Sequence, residues 1–139
     1  MARLLAIGAI AWPLFLASGL WTRAHGGPAW VTVAVYVSAS RVCHQRPERS
    51  FQSAGVTWPV CGRCAGLYLA APLGAIAAIV RRRRGGPRLA WLFVAAVPTA
   101  LTLAVEFFNV APVSSLVRAW SAVPLGAAVA FVLVTVAKR

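Results

Sequence analysis

"VCHQRPERSFQSAGVTWPVCGRCAGLYLA", residues 42–70, interrupts a chain built mostly from Ala, Val, Leu and Gly. It holds all three cysteines, one of the two histidines and one of the two acidic side chains. Apolar runs flank it on both sides. The architecture therefore turns on whether this polar stretch is a loop delivered by two membrane-embedded helices.

The 139 residues are enough for one domain. The composition is 60% hydrophobic and only 12% charged, and the mean hydropathy is +0.77. A soluble domain of this size would need more polar surface than this sequence supplies. The reading is an all-α integral membrane protein, a bundle of about five transmembrane helices.

Five apolar segments carry that reading: 4–20, 28–42, 65–80, 89–110 and 119–137, with a Cys/His loop over 43–64 between the second and third. A crossing helix needs about 20 apolar residues. The first, fourth and fifth segments meet that requirement. The second and third are short, and either recruit flanking residues or stop partway while the loop dips into the membrane. Pro13, Pro72, Pro98 and Pro124 lie inside segments, which neighbours in a bundle can absorb. Gly74 with Ala70 and Ala78 suits close helix contact, and Trp21, Trp30, Trp91 and Trp120 lie near segment ends as interfacial aromatics do. The first segment also resembles a secretory signal peptide, with Arg3 ahead of the apolar run and small residues at Ala17 to Gly19, but no strong cleavage site follows.

The net charge is +12, from fourteen basic and two acidic residues. In a soluble protein this would suggest nucleic acid, but no aromatic or Gly-rich recognition module accompanies the basic run. Arg81 to Arg84 sit between two apolar segments, as in a cytoplasmic loop that touches anionic headgroups. The expected partners are therefore the lipid bilayer and its anionic headgroups, with no nucleic acid; a protein partner or quinone stays open. With five crossings the Arg81–Arg84 loop is cytoplasmic, the Cys/His loop extracytoplasmic, and Arg3 shares the Cys/His side.

Cys61 and Cys64 form a C-x-x-C pair at the mouth of the third segment, a spacing that serves either one metal ion or one disulfide. If the second and third segments are antiparallel neighbours, Cys43 and His44 join them. Cys43, His44, Cys61 and Cys64 then make a Cys3His set suited to zinc or another transition metal. Adjacent residues such as Cys43 and His44 usually point apart, so a three-ligand site with an open position is equally compatible. The redox alternative uses the same sulfurs: a helix start and Arg63 favour a thiolate at Cys61 or Cys64, with Cys43 as a resolving thiol. A loop disulfide in a structural or assembly protein is the third reading. Arg46, Glu48 and Arg49 read first as a solvated surface face, and otherwise as a small ion-pair cluster or lipid phosphate contacts.

"CHQRPERSF" followed by "VCGRCAGLYLA" resembles the signature of the domain of unknown function 2085 family, small bacterial predicted integral membrane proteins. The matching residues are Cys43, His44, Gln45, Arg49, Ser50, Phe51, Cys61, Arg63, Cys64, Gly66 and Tyr68. The resemblance implies a multi-pass protein of the bacterial cytoplasmic (inner) membrane, and places His44 and Gln45 with the cysteines, Arg49 and Arg63 supporting. It carries no activity.

Glu106 interrupts "LTLAVEFFNV", residues 101–110, near the outer end of the fourth segment. A carboxylate in hydrocarbon costs several kcal/mol unless paired or protonated. Arg118, at the start of the fifth segment, lies on the same side as a partner for this intramembrane acid, with Asn109 completing a polar cluster; a carboxylate that simply reaches the interface is the equal alternative. The functional reading is a membrane protein whose loop binds a metal ion at one face. The alternatives are a membrane thiol–disulfide oxidoreductase passing electrons to a quinone or partner, and a scaffold held by a disulfide.

Overall fold

The computed structural model describes residues 1–81 and 90–138. In chain order these form α1 (Ala2–His25), α2 (Ala29–Ser40), a 3-10 turn (Pro47–Arg49), β1 (Ser50–Ser53), β2 (Val56–Cys61), α3 (Gly62–Val80), α4 (Ala90–Phe107) and α5 (Ser115–Val136). Four of the five helices are long and apolar enough to cross a membrane. The exception is α2, whose 12 residues reach only ~18 Å at the α-helical rise. The expectation of about five crossings thus becomes four crossing-length helices and one half-length helix. The helices continue through Pro13, Pro72, Pro98 and Pro124.

A short turn sets the first hairpin. Gly26 caps α1 in the left-handed region at φ 68°, where a side chain would be strained. Gly27 and Pro28 follow, and α2 folds back along α1. A Cβ at Gly19 would lie 2.5 Å from Val35 atoms, and the Thr22 and Thr32 hydroxyls are 2.9 Å apart.

α3 also runs antiparallel to α1, lower down. Trp12 meets Tyr68 edge-on at 5.9 Å between ring centroids, and Ala6 packs with Ala75 and Ala78. Hence α2 lies along the outer part of α1, α3 lies along the rest, and both run in the same direction. This corrects the expectation of antiparallel second and third segments. The intervening chain goes out and returns as a hairpin, so it enters α3 on the heading with which it left α2.

That hairpin also corrects the all-α expectation. β1 and β2 pair antiparallel, with Ser50 opposite Cys61 and Ser53 opposite Val56. Ala54 and Gly55 turn it with φ 50° and 73°, both positive as a tight two-residue hairpin requires. Ala-Gly is a weaker hairpin signal than Asn-Gly, and Pro59 within β2 argues against a strand in sequence.

The tightest packing joins α3 to α5. Small residues recur at every fourth position of α3: Gly62, Gly66, Ala70, Gly74 and Ala78. A Cβ at Gly62, Gly66 or Gly74 would collide with the carbonyl oxygen of Ser115, Ala119 or Ala127 respectively. The pairings climb together in number, so these two helices are parallel and touch through backbone. In lipid, where apolar burial gives no net drive between helices, such close approach supplies van der Waals contact instead. α4 packs antiparallel on α5, where buried Thr99 donates its hydroxyl to the Ser121 carbonyl at 2.8 Å.

Large apolar side chains face outward, among them Leu4 at 71% exposure, Phe93 at 70% and Leu101 at 61%, while the interior is Ala, Gly and Val. This distribution suits lipid as the surrounding solvent. Arg3, Arg81 and the Lys138 amine, which donates to the Ala78 carbonyl at 2.6 Å, mark one end of the bundle. The cysteines mark the other. Arg81 thus lies opposite the cysteine loop, Arg3 changes ends relative to the five-crossing reading, and Arg82 to Arg84 lie outside the described residues.

Candidate metal centre

Cys43 extends the end of α2 by one helical hydrogen bond, its N–H donating to the Ala39 carbonyl at 2.9 Å. Two residues later Gln45 takes φ 49° and the chain leaves the helix axis. The Gln45 side-chain amide donates to the carbonyls of Tyr36 and Pro59, both at 2.8 Å. The Tyr36 hydroxyl donates to the Thr57 carbonyl at 2.6 Å. These three bonds tie the end of α2 to β2, and so fix Cys43 over the strand that ends in Cys61.

Cys61 is the N-cap residue of α3, with extended backbone at ψ 162°. Cys64 follows within the first turn. The sulfurs of Cys43, Cys61 and Cys64 all lie within 4.8 Å of one another. Cys43 is buried, at 6% exposure, and Cys61 and Cys64 are half-buried. Cys43 belongs to one buried apolar cluster with Leu16, Val35, Ala39, Val60 and Ala65. All three cysteines are free thiols.

The Cys61 N–H donates to the Cys43 sulfur at 3.2 Å. Cys61 itself is pushed down to about 5 by the hydrogen bond from the Cys64 thiol first. Burial opposes this; the backbone N–H groups of Cys64 and Arg63 and the Cys43 thiol reinforce it. A tetrahedral zinc with Zn–S of about 2.3 Å holds sulfurs about 3.8 Å apart. The cluster can therefore hold a metal ion after small side-chain rotations.

The structure brings together three of the four candidate ligands. His44 is exposed and falls outside the group, because neighbouring residues leave the backbone in different directions and Gln45 turns the chain at once. Arg63, expected to act on the thiols, instead points its guanidinium away. Its Nη2 donates to Thr102 Oγ1 at 3.2 Å and contacts Glu106 Oε2 at 3.5 Å. Arg118 Nε pairs with the other oxygen of Glu106. Arg49 closes the 3-10 turn, its N–H donating to the Arg46 carbonyl at 3.0 Å. Among the described residues Arg46, Glu48 and Arg49 form no ion pair with one another.

Sequence reasoning missed the Arg63–Glu106 contact and the bracing role of Tyr36. The Arg63 position offered a signal: an arginine at a helix N-terminus is unfavourable toward the helix dipole unless a carboxylate is near, and the chain has only one acid besides Glu48.

A family model described as "Predicted membrane protein (DUF2085)" matches residues 43–132, from the first cysteine into α5, and the chain belongs to this family. An uncharacterised protein of Methanothermobacter thermautotrophicus is 53% identical over 30 residues, which are 22% of this chain and 27% of the relative. An uncharacterised protein of Methanocaldococcus jannaschii is 38% identical over 47 residues, 34% of this chain and 30% of the relative. The chain thus matches less than a third of the length of either curated relative. Both organisms are archaea, so the likeness extends beyond bacterial proteins. No solved structure matches the chain.

Proposed function

We propose that this member of the DUF2085 family binds one transition-metal ion, zinc in the first instance, through Cys43, Cys61 and Cys64 at one face of the membrane. The observation that carries the reading is the meeting within 4.8 Å of three sulfurs from the chain just after α2, the end of β2 and the first turn of α3. The ion fastens the end of α2 to the start of α3, where the backbone is otherwise held by the Gln45 and Tyr36 bonds. Three protein thiolates leave the fourth tetrahedral position open, as in sites that take a water or substrate. His44 is adjacent in sequence and can fill that position only by a backbone change.

The bundle sits in a cytoplasmic membrane with the Arg3, Arg81 and Lys138 end inside, where basic residues are favoured and anionic headgroups are available. The cysteine hairpin is then extracytoplasmic. Nucleic acid is not among its partners.

One observation favours a second reading. Cys61 is the N-terminal member of a C-x-x-C pair at a helix start, where the hydrogen bond from the Cys64 thiol lowers its pKa, the arrangement of a dithiol that exchanges with disulfides. In that role Cys61 and Cys64 close a disulfide and two electrons pass to a quinone or partner disulfide. Metal analysis and thiol counting on the same detergent-purified sample separate the two. One metal per chain with no free-thiol cycling supports the metal site. Metal-free protein whose two thiols oxidise with quinone selects the redox enzyme.

A further inference from the structure

Glu106 is shared by two arginines. Arg118 Nε pairs with one carboxylate oxygen and Arg63 Nη2 contacts the other at 3.5 Å. The three side chains are only 16%, 11% and 11% exposed for Arg63, Arg118 and Glu106. One carboxylate therefore faces two guanidiniums in a partly desolvated place, and a positive charge is left over. The sequence has one other acidic side chain, Glu48, which is exposed on the 3-10 turn and among the described residues pairs with neither arginine.

Two features add to the imbalance. α3 and α5 are parallel, and their first turns touch at Gly62 and Ser115, so two helix N-termini present their positive ends side by side. The α5 end contributes roughly half a positive charge against the opposite end of α4, while the α3 end also faces the sulfur of Cys61 at its own N-cap. In addition, Arg63 Nε is buried with no hydrogen-bond acceptor among the described residues, which is unfavourable for a donor on a charged group.

The geometry points to an oxyanion site between the first turns of α3 and α5 and the last turn of α4, with Arg63 and Arg118 as the anion-binding residues. The ligand is a phosphate-type anion: a phospholipid headgroup or a free phosphate. Such an anion takes up the leftover charge through charge-assisted, bidentate contacts of the kind guanidinium favours. Glu106 is then a fixed counter-charge that orients both guanidiniums and limits affinity. The site lies at the same end of the bundle as the cysteines but does not depend on the metal reading.

The test uses the full chain in lipid nanodiscs, with melting temperature and metal content measured on each sample. Inorganic phosphate is titrated in phosphatidylcholine discs, and in parallel phosphatidylglycerol replaces part of the phosphatidylcholine. The melting temperature rises in at least one arm. A rise with phosphate identifies a free oxyanion as ligand; a rise with phosphatidylglycerol alone identifies the headgroup; both outcomes support the site. Arg63→Gln and Arg118→Gln each raise the anion concentration needed for the rise by about tenfold or more, the size of one lost charge-assisted contact. Glu106→Gln keeps both arginines and binds the anion more tightly than the wild type. No rise in either arm, or an equal rise in the arginine variants, overturns the inference. If the arginine variants do not fold, a Glu106→Gln response no larger than wild type overturns it. The Cys61→Ser protein keeps the response whatever its metal content, so failure of the metal reading does not count against the anion site.

Discussion

The backbone N–H of Cys61 donates to the sulfur of Cys43, 18 residues earlier in the chain, at 3.2 Å. That bond crosses from the end of α2 to the N-cap of α3, and it can form only because the intervening hairpin returns to its starting level. The donor belongs to one ligand of the proposed ion and the acceptor is another. Local folding and the placing of two proposed ligands are therefore coupled at this point.

Replacing Cys43, Cys61 or Cys64 with serine is expected to remove the bound metal, and to lower the melting temperature with it, since ion binding that favours the folded state is itself stability. His44→Ala is expected to retain close to one metal per chain, because His44 lies outside the sulfur group. Elemental analysis of the purified variants checks both. A metal-free His44→Ala protein would show that the backbone rearranges to recruit the imidazole.

In metal-free protein, Cys61 is expected to be the thiol alkylated first. Its folded-state value of about 5 means that the reactive thiolate is present above that pH and disappears below it. Cys64→Ala removes the largest cause of the depression, so the midpoint of the alkylation rate moves toward the ordinary thiol range near 8.5. Mass spectrometry of iodoacetamide adducts against pH reads the shift. An unchanged midpoint would show that the thiol of Cys64 is not the cause.

Gln45→Ala should loosen the junction between α2 and β2. The substitution leaves the Tyr36 and Pro59 carbonyls without their shared donor, at a cost of about 1–3 kcal/mol. Because the same bonds position Cys43, metal affinity falls alongside stability. Competition with a chromophoric chelator measures the affinity, and equal affinity in the variant would make Gln45 a purely local brace.

Gly74→Val should disrupt the α3–α5 interface, since even a Cβ there collides with the Ala127 carbonyl; overpacking of this kind costs about 1–3 kcal/mol or more. Gly8→Ala is the control: a Cβ at Gly8 meets nothing within 4 Å, and the change is expected to be neutral or slightly stabilising. Detergent melting curves of the two variants should separate clearly.

Single-cysteine labels at Arg3 and Lys138, placed in a chain otherwise free of cysteine, are expected to report the same side of the membrane, and a label at Ser53 the opposite side. Four crossings require this; five would put Arg3 and Ser53 together. Labelling of intact spheroplasts with an impermeant maleimide decides between them.

Membrane residence was legible in the sequence because it depends on composition and segment length, and these are local. The cysteine clustering was legible because C-x-x-C spacing already limits how far two thiols can separate. Direction was harder to read. Segment 28–42 is apolar enough to look like a crossing, yet α2 ends at Ser40 and runs parallel to α3. The hairpin was hidden by Pro59 and by an Ala-Gly turn whose two positive φ values are set by strand pairing. Arg63 was read with the cysteines beside it in sequence, whereas its side chain follows the only nearby carboxylate, which α4 delivers 43 residues later.

Composition and spacing by themselves determined that this chain carries apolar segments of crossing length, that small residues on segment 65–80 make a packing face, and that Cys61 and Cys64 stay close together. Only the tertiary structure decided that Cys43 rather than His44 joins them, and that one glutamate is divided between two arginines. The reason is range. Hydropathy and i-to-i+4 periodicity act within a few turns of one helix, while ligand choice and charge balance depend on which helix ends the bundle sets side by side.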